Sequence, residues 1–461
     1  MKISFHGADR GVTGSCHLVE CEGTRLLIDC GLYQGGREIE EENAKPFGFA
    51  PQDIDFLLLT HAHLDHCGRI PLLVKQGFRG EILTTAASRD LARLVLLDSA
   101  HIQEEEAAHR ARRAARKEKA PPIAPLYTSL DVLDSIDRFG RTPRYGQPIE
   151  LAPGIRAHFL DAGHILGSAQ LLLELEEGKR RQRLLFSGDL GNFGRPIVRD
   201  PTLPPKVDAV VMETTYGDRL HRPLGPSVEE LYQAIADTFA RGGNAIIPTF
   251  ALERAQELLY FLREAVESKR LPRHTSVFLD SPMAISATEI FERHAECYDA
   301  ESCKLFRAGR DPFQVPGLRF TRQASESIAI NRIVGGAIVM AGSGMCTGGR
   351  VRHHLRQHLG RQQSSVIFVG FAARGTLARR IIDGARSVAI FGERVPVRAQ
   401  IHTINGFSAH ADQAELLAWH ARAAPARTFL VHGEEEVMGH FARRLKGTQI
   451  ELPKLHEEFE I

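Results

Sequence analysis

The chain reads as an α/β protein, on three observations. Residues 1 to about 85 alternate short apolar runs with glycine-rich turns, the pattern of a strand-rich beginning. From about residue 209, strand and helix patterns alternate, which predicts βα units and a mainly parallel sheet flanked by helices. The third observation is the hexapeptide His61-Ala62-His63-Leu64-Asp65-His66. It follows the apolar run Ile54-Asp55-Phe56-Leu57-Leu58-Leu59, and open α/β sheets collect ligands at such strand ends.

The expected early strands are Lys2 to Phe5, Cys16 to Cys21, Arg25 to Asp29, Phe56 to Leu59 and Glu81 to Thr84. Ser88 to about Lys119 turns helical and ends in a basic stretch, His109 to Lys119, before Pro121-Pro122. That stretch reads as a solvated helix end, with nucleic-acid contact as the alternative. Lys179-Arg180-Arg181-Gln182-Arg183, between Leu171 to Leu175 and Leu184 to Phe186, reads as a polar hairpin tip. The joint Asp200-Pro201-Thr202-Leu203-Pro204-Pro205 and the fresh strand Ala209-Val210-Val211-Met212 mark a boundary. Helical patterns at 228–241 and 253–268 then alternate with strand patterns at 244–248, 276–279, 336–340 and 365–369. There is no repeat at a fixed period and no low-complexity segment.

With 461 residues, 43% hydrophobic and 25% charged, the composition is that of an ordinary globular protein able to bury a large core. No apolar run approaches the ~20 residues of a membrane span, and the N-terminus lacks a signal-peptide pattern. A soluble, cytoplasmic protein without a membrane partner is expected. Seven scattered cysteines, never spaced C-x-x-C, argue against a disulfide framework or a zinc ribbon and read as reduced core thiols. Cys67 adjoins the hexapeptide and reads as buried filler behind His66, with a ligand role as the alternative. A net charge of +1 gives no global attraction to nucleic acid, so local patches must carry any such binding.

His61 and His63, two apart on a chain leaving a strand, can face one ion, while Asp65 and His66, at a helix start, face a second. Imidazole with carboxylate suits zinc. Two further segments present a ligand on a glycine turn: Asp161-Ala162-Gly163-His164 and Ser187-Gly188-Asp189-Leu190-Gly191. His164 would join His61 and His63, and Asp189 can bridge. Two divalent ions about 3.5–4 Å apart can ionise a water between them.

These residues resemble the metallo-β-lactamase fold: Asp29 as its first motif, the hexapeptide as its second, His164 as its third and Asp189 as its fourth, over about residues 1 to 200. By that resemblance Asp29 orients the His loop. Glu213 in Met212-Glu213-Thr214-Thr215, His410 in Ser408-Ala409-His410-Ala411-Asp412 and His432 in Leu430-Val431-His432-Gly433 look like the three motifs of the β-CASP nucleases, with Thr214 where many relatives carry Ser. The likeness then spans nearly the whole chain. It implies an αββα sandwich with an inserted β-CASP domain: 1–208 lactamase-fold first part, 209–396 β-CASP domain, 397–461 the lactamase-fold return. The site would lie in a cleft between the two domains.

The resemblance implies two Zn2+ per chain, with His432 completing the second ion's shell. Asp65, Glu213 and His410 are the catalytic expectation, His410 protonating the leaving oxygen and Glu213 orienting it. His at the third cassette motif resembles the RNA-directed branch rather than the DNA-repair branch. Arg254, Ser343, Arg374, Thr376 and Ser408, in turns after strands, are the expected RNA contacts; ordinary strand-to-helix loop chemistry is the other reading. Single-stranded RNA is the expected partner, and a homodimer is the assembly allowed for.

Nothing precedes the first lactamase-like strand and 29 residues follow His432, so the chain resembles the short bacterial form. Archaeal relatives add RNA-binding N-terminal modules, and RNase J adds a C-terminal domain. The implied activity is phosphodiester hydrolysis of single-stranded RNA, endonucleolytic, with 5′-to-3′ exonuclease action as the alternative. A small-molecule metallo-hydrolase would leave the inserted domain without a task. A non-catalytic scaffold of the kind that has lost ligands fits poorly, because no ligand is missing.

Overall fold

Apolar residues two apart make strands of much of the first 213 residues. They are β1 (Lys2–Phe5), β2 (His17–Cys21), β3 (Thr24–Ile28), β4 (Phe56–Leu58) and β5 (Glu81–Leu83), then β6 (Pro148–Ala152), β7 (Ile155–Asp161), β8 (Ala169–Glu177), β9 (Arg180–Phe186) and β10 (Ala209–Glu213). The next eight are β11 (Ala245–Pro248), β12 (Ser276–Leu279), β13 (Leu318–Phe320), β14 (Ala337–Ala341), β15 (Ser365–Val369), β16 (Ser387–Ile390), β17 (Glu393–Pro396) and β18 (Gln400–Ile404). The chain closes with β19 (Arg427–Val431), β20 (Gln449–Glu451) and β21 (Glu458–Glu460). The computed structural model describes residues 1–35, 41–117, 124–370 and 372–461. Glu118 and Lys119 of the basic stretch, and Pro121-Pro122 after it, lie outside the described residues.

Two units form. The first is Met1–Gly194, Asp200–Leu220 and His410–Ile461; the second is Arg195–Arg199 and His221–Ala409. The first holds two sheets, in the orders β21-β1-β2-β3-β4-β5 and β20-β19-β10-β9-β8-β7-β6. Their inner faces share one core, in which Ile3, Phe5, Leu26, Ile28 and Leu58 of one sheet meet Phe159, Leu171, Phe186 and Phe429 of the other. Burying each such side chain contributes about 1.5–3 kcal/mol. Leu27, Leu57 and Ile82, on the opposite face of the first sheet, are also buried. The helices Gln413–Ala423 and Glu435–Ala442 cover the outer face of the second sheet with Leu416, Trp419, Met438 and Phe441. The result is an αββα sandwich.

The second unit has a parallel sheet of order β13-β12-β14-β11-β15-β18, as the alternating pattern predicts, beside a β16-β17 hairpin. Beyond β12, the buried carboxylate of Asp280 gathers the unit's loops. It accepts from Thr321 Oγ1 (2.7 Å), Ser327 Oγ (2.6 Å) and Arg350 Nη1 (2.7 Å), and His354 Nε2 lies 2.6 Å away.

Two local expectations change. The hairpin tip is Gly178-Lys179, and Arg180 to Arg183 lie in β9, because Glu177, Glu176 and Glu174 of β8 face Arg180, Arg181 and Arg183 across the strands. The expected boundaries at 208/209 and 396/397 also differ from the units. Strand β10 is hydrogen-bonded between β9 and β19 of the first unit, so, apart from the short excursion Arg195–Arg199, the chain stays in that unit to Leu220 and returns at His410.

Burial pushes the Asp280 carboxyl up, but the hydrogen bonds from His354, Ser327, Thr321 and Arg350 outweigh it and hold the group well below the usual carboxylate range. A lowered folded-state value stabilises above the ordinary carboxylate pKa and is lost as pH falls below it. Asp280→Asn should cost about 3–5 kcal/mol at pH 7, and its deficit should shrink below about pH 4. Urea unfolding of both proteins from pH 7 to 3 checks this; a constant deficit contradicts it.

Candidate metal centre

The polar side chains of interest leave strand ends. Asp29 follows β3, the His loop follows β4, Asp189 follows β9, Glu213 ends β10 and His432 follows β19. Because β9, β10 and β19 are mutually parallel, their carboxyl ends share one edge of the second sheet. Strand β7 runs the same way as β9, since each is antiparallel to β8, and so delivers the His164 loop to that edge. Close backbone approach is needed here. A side chain at Gly31 would begin 1.7 Å from the Asp65 carbonyl oxygen, and one at Gly191 would begin 1.8 Å from that of Gly163.

Three groups of donors converge: His61, His63, His164 and Asp189; Asp65, His66 and His432; and Asp189, Glu213 and His410. In the first, His63 Nδ1 lies 3.1 Å from His61 Nε2 and 3.2 Å from His164 Nε2. Asp189 Oδ2 is 3.5 Å from both Nε2 atoms. In the second, His66 Nε2 and His432 Nε2 are 3.3 Å apart, and Asp65 Oδ2 is 3.6 Å from His432 Nε2. Asp189 Oδ1 lies 3.3 Å from His66 Nε2 and 3.5 Å from His432 Nδ1, so this one carboxylate reaches both groups.

Zinc fits this donor set. Tetrahedral bonds of 2.0–2.1 Å space neighbouring nitrogens roughly 3.3–3.4 Å apart, close to the separations seen. Asp189 Oδ1 is buried and accepts no hydrogen bond among the described residues, which leaves an acceptor aimed at a cation. Burial pushes His61 well below its ordinary value and His63 down to about 4, which keeps their lone pairs available. At His66 burial is outweighed by Asp189 and Asp29, which raise it well above the ordinary value; the position attracts positive charge. Burial likewise acts upward on Asp65 and Asp189, but His432 and the other imidazoles hold Asp65 at about 2 and Asp189 well below the usual range.

Outer partners orient the rings. Asp29 accepts from Thr60 N (2.8 Å) and Thr60 Oγ1 (2.9 Å), and its Oδ2 lies 2.7 Å from His66 Nδ1. Thr60 Oγ1 is 3.1 Å from His61 Nδ1, and Thr215 Oγ1 is 3.2 Å from His432 Nδ1. Each contact turns Nε2 of its imidazole toward the centre. Asp29 and His432 both hold left-handed backbone, at φ 60° and 49°, conformations that non-glycine residues keep where the surroundings enforce them.

In the third group, His410 Nδ1 lies 3.3 Å from Glu213 Oε1 and 3.9 Å from Asp189 Oδ2. Glu213 is buried and fixed by the amides of Leu190 (2.6 Å) and Thr215 (3.2 Å). Burial lowers His410, but Glu213 and Asp189 outweigh it and lift the imidazole to about 9. Its ring remains 22% exposed.

Comparison with known proteins agrees with this architecture. A metallo-β-lactamase superfamily model matches residues 9–249, a β-Casp domain model 255–381, and a "Zn-dependent metallo-hydrolase RNA specificity domain" model 394–453. Ribonuclease TTHA0252 of Thermus thermophilus is 40% identical over 459 residues, covering 99% of each chain. The chain belongs to the β-CASP ribonuclease family of metal-dependent hydrolases. Transcription termination factor FttA of Methanocaldococcus jannaschii is 32% identical over 98% of this chain and 70% of its own. A crystal structure of an Enterococcus faecalis protein of unknown function shares the fold, with a TM-score of 0.55, 13% identity and 99% of each chain covered.

The five residues expected to contact RNA lie in the second unit of this β-CASP protein. Arg374 is exposed, and Thr376 caps the helix Leu377–Ile382, accepting from Arg379 N. Ser343 Oγ accepts from Thr347 N (3.2 Å), and the Ser408 carbonyl accepts from Arg195 Nη2 (2.8 Å). Arg254 is buried and ion-paired with Glu257, so its guanidinium is engaged within the unit. Sequence reasoning overlooked Thr60 and Thr215, although each adjoins a recognised motif.

The Asp29 contacts make a prediction. Asp29→Ala should weaken zinc binding at Asp65, His66 and His432 by about 10–100-fold. Chelator competition measures this, and an unchanged affinity contradicts the orienting role.

Proposed function

We propose that this protein is a zinc-dependent endoribonuclease that hydrolyses phosphodiester bonds of single-stranded RNA. The observation that carries the reading is the Glu213–His410 pair, 3.3 Å apart, beside donors for two ions joined by Asp189. Ion-binding residues alone would suit many hydrolases, whereas a positioned imidazole supplies the acid that a sugar oxygen needs on leaving. The family's RNA specificity domain model and the ribonuclease relative support RNA as the substrate.

His61, His63 and His164 would hold one Zn2+, and Asp65, His66 and His432 the other, with Asp189 between. When bound, such ions supply charge neutralisation on the phosphate and a water that ionises near neutral pH. Asp65 fixes its end of the second group beside His432. Glu213, itself held by two backbone amides, keeps His410 Nδ1 against its carboxylate, so Nε2 is the nitrogen that delivers a proton to the departing oxygen. The partial exposure of His410 lets substrate reach it.

His410→Ala should retain zinc yet lose about 10²–10⁴-fold in cleavage, whereas Asp189→Ala should lose zinc as well. Equal zinc loss in both variants would refute this division of labour. The activity itself is tested on one single-stranded RNA labelled at either end, beside DNA of the same sequence, with zinc quantified in the sample. Internal cuts in RNA only are expected. Mononucleotides released from the 5′ end would replace the endonuclease reading with an exonuclease one, and intact RNA at full zinc would overturn the ribonuclease reading.

A further inference from the structure

The parallel sheet of the second unit has one place where its connections part. In the order β13-β12-β14-β11-β15-β18, the chain leaves β11 for β12, two places in one direction, and leaves β14 for β15, two places in the other. Strands β11 and β14 are parallel neighbours, paired from Ala245 with Ile338 to Pro248 with Ala341. Right-handed crossovers in opposite directions send the helices that follow, Arg254–Glu267 and Val351–His358, to opposite faces of the sheet. Val351 and Leu355 accordingly pack with Ile246, Val339 and Val366 on one face. The loops beyond β11 and β14 therefore diverge and leave a crevice at the strands' carboxyl ends, the place where open α/β sheets bind ligands.

Phe250 stands in that crevice. It lies two residues past β11, on a loop joined to the end of β14 by the bond from Thr249 N to the Ala341 carbonyl (3.0 Å). Its ring rests on the backbone of Gly344, in the loop after β14, where a side chain would begin 2.8 Å from two of the ring carbons. The ring is seated along one edge, yet Phe250 remains 42% exposed. Among the described residues no other ring and no guanidinium stacks on it.

A single exposed phenylalanine is ordinary; the position and the surrounding charge mark this one. Residues 249–253, 342–350 and 370–376, which contain the loops after β11, β14 and β15, hold one carboxylate, that of Glu253, and it is buried. Arg374 is exposed and has no ion pair among the described residues. A fixed aromatic ring on an edge that exposes cations and no acid suits a base on its phosphate backbone. Bases stacked within a duplex offer no free face, so such a ring takes unpaired nucleotides.

We propose that Phe250 is a stacking platform for one base of single-stranded RNA, and thereby a residue that selects unpaired substrate. The platform rests on the ribonuclease reading for its ligand. Arg374, on the loop after the adjacent strand β15, supplies positive charge at the same sheet edge.

The test compares Phe250→Leu, which keeps an apolar side chain, with Phe250→Trp, which keeps an aromatic face. Both are made in zinc-loaded His410→Ala protein, so that bound RNA stays intact. The probe is a single-stranded RNA of about 12 nucleotides, beside a series in which each base in turn is removed and a duplex of the same length. The Leu variant should bind the intact strand about tenfold more weakly than the His410→Ala parent, and the Trp variant within about threefold of it. Removing the base at one position should cost the parent about tenfold and the Leu variant less than about twofold, as expected of a base and a ring that meet. The duplex should bind all three proteins alike.

A Leu variant within about twofold of the parent on the intact strand overturns the platform, as does a Trp variant as weak as the Leu one. A base-removal profile that is the same in parent and Leu variant also overturns it. Duplex binding that falls as far as strand binding does so too, because Phe250 would then support the fold rather than a base. Cleavage is scored separately with His410 in place: RNA that is bound but uncut there sinks the ribonuclease reading, while the base-removal profile still decides the platform. Zinc-loaded protein that binds no single-stranded RNA overturns both.

Discussion

The centre depends on one constraint: imidazoles whose Nδ1 atoms are occupied from behind. His66 by Asp29, His61 by Thr60 and His432 by Thr215 are each held at Nδ1, which leaves Nε2 of each ring pointing inward. Nitrogens brought to 3.1–3.3 Å in a buried place need a proton or a cation between their lone pairs. The fold tolerates this arrangement because two sheets with fully buried cores supply rigid strand ends on which to mount it. Asp189 then does what no imidazole can, offering one oxygen to each donor group.

That same carboxylate connects the donors to the Glu213–His410 pair, to which we assign proton delivery. Asp189 Oδ2 stands 3.9 Å from His410, whose other partner, Glu213, is anchored in backbone at the end of β10. Placing Glu213 on a strand paired on both sides fixes it far better than a loop would. The charge that would hold ions and the charge that holds His410 are therefore parts of one buried network, and the proposed hydrolysis rests on its layout.

Much of this is legible in the sequence because it is local. Strands 276–279 and 365–369 fall where the apolar runs put them, and the His-rich hexapeptide declares donors by composition alone. What depends on distant pairing is not legible. Ala209–Glu213 follows a Pro-rich joint and looks like the opening of a new domain, yet its partners are β9 and β19, the latter more than two hundred residues away. The basic run after Lys179 looks like a tip because its matching glutamates lie earlier in the chain and no pattern shows them facing it. Arg254 shows what a loop pattern leaves out: a guanidinium after a strand suits a phosphate, and its ion pair with Glu257, three residues on, carries no compositional signal. Thr60 and Thr215 went unnoticed because a hydroxyl that orients a ring carries no compositional signal.

Anomalous diffraction from crystals of the zinc-loaded protein, collected at the zinc edge, addresses the central claim most directly. The account predicts two peaks about 3.5–4 Å apart, one among His61, His63 and His164 and one among Asp65, His66 and His432, with Asp189 touching both. A single peak, or zinc bound away from Asp189, would contradict it.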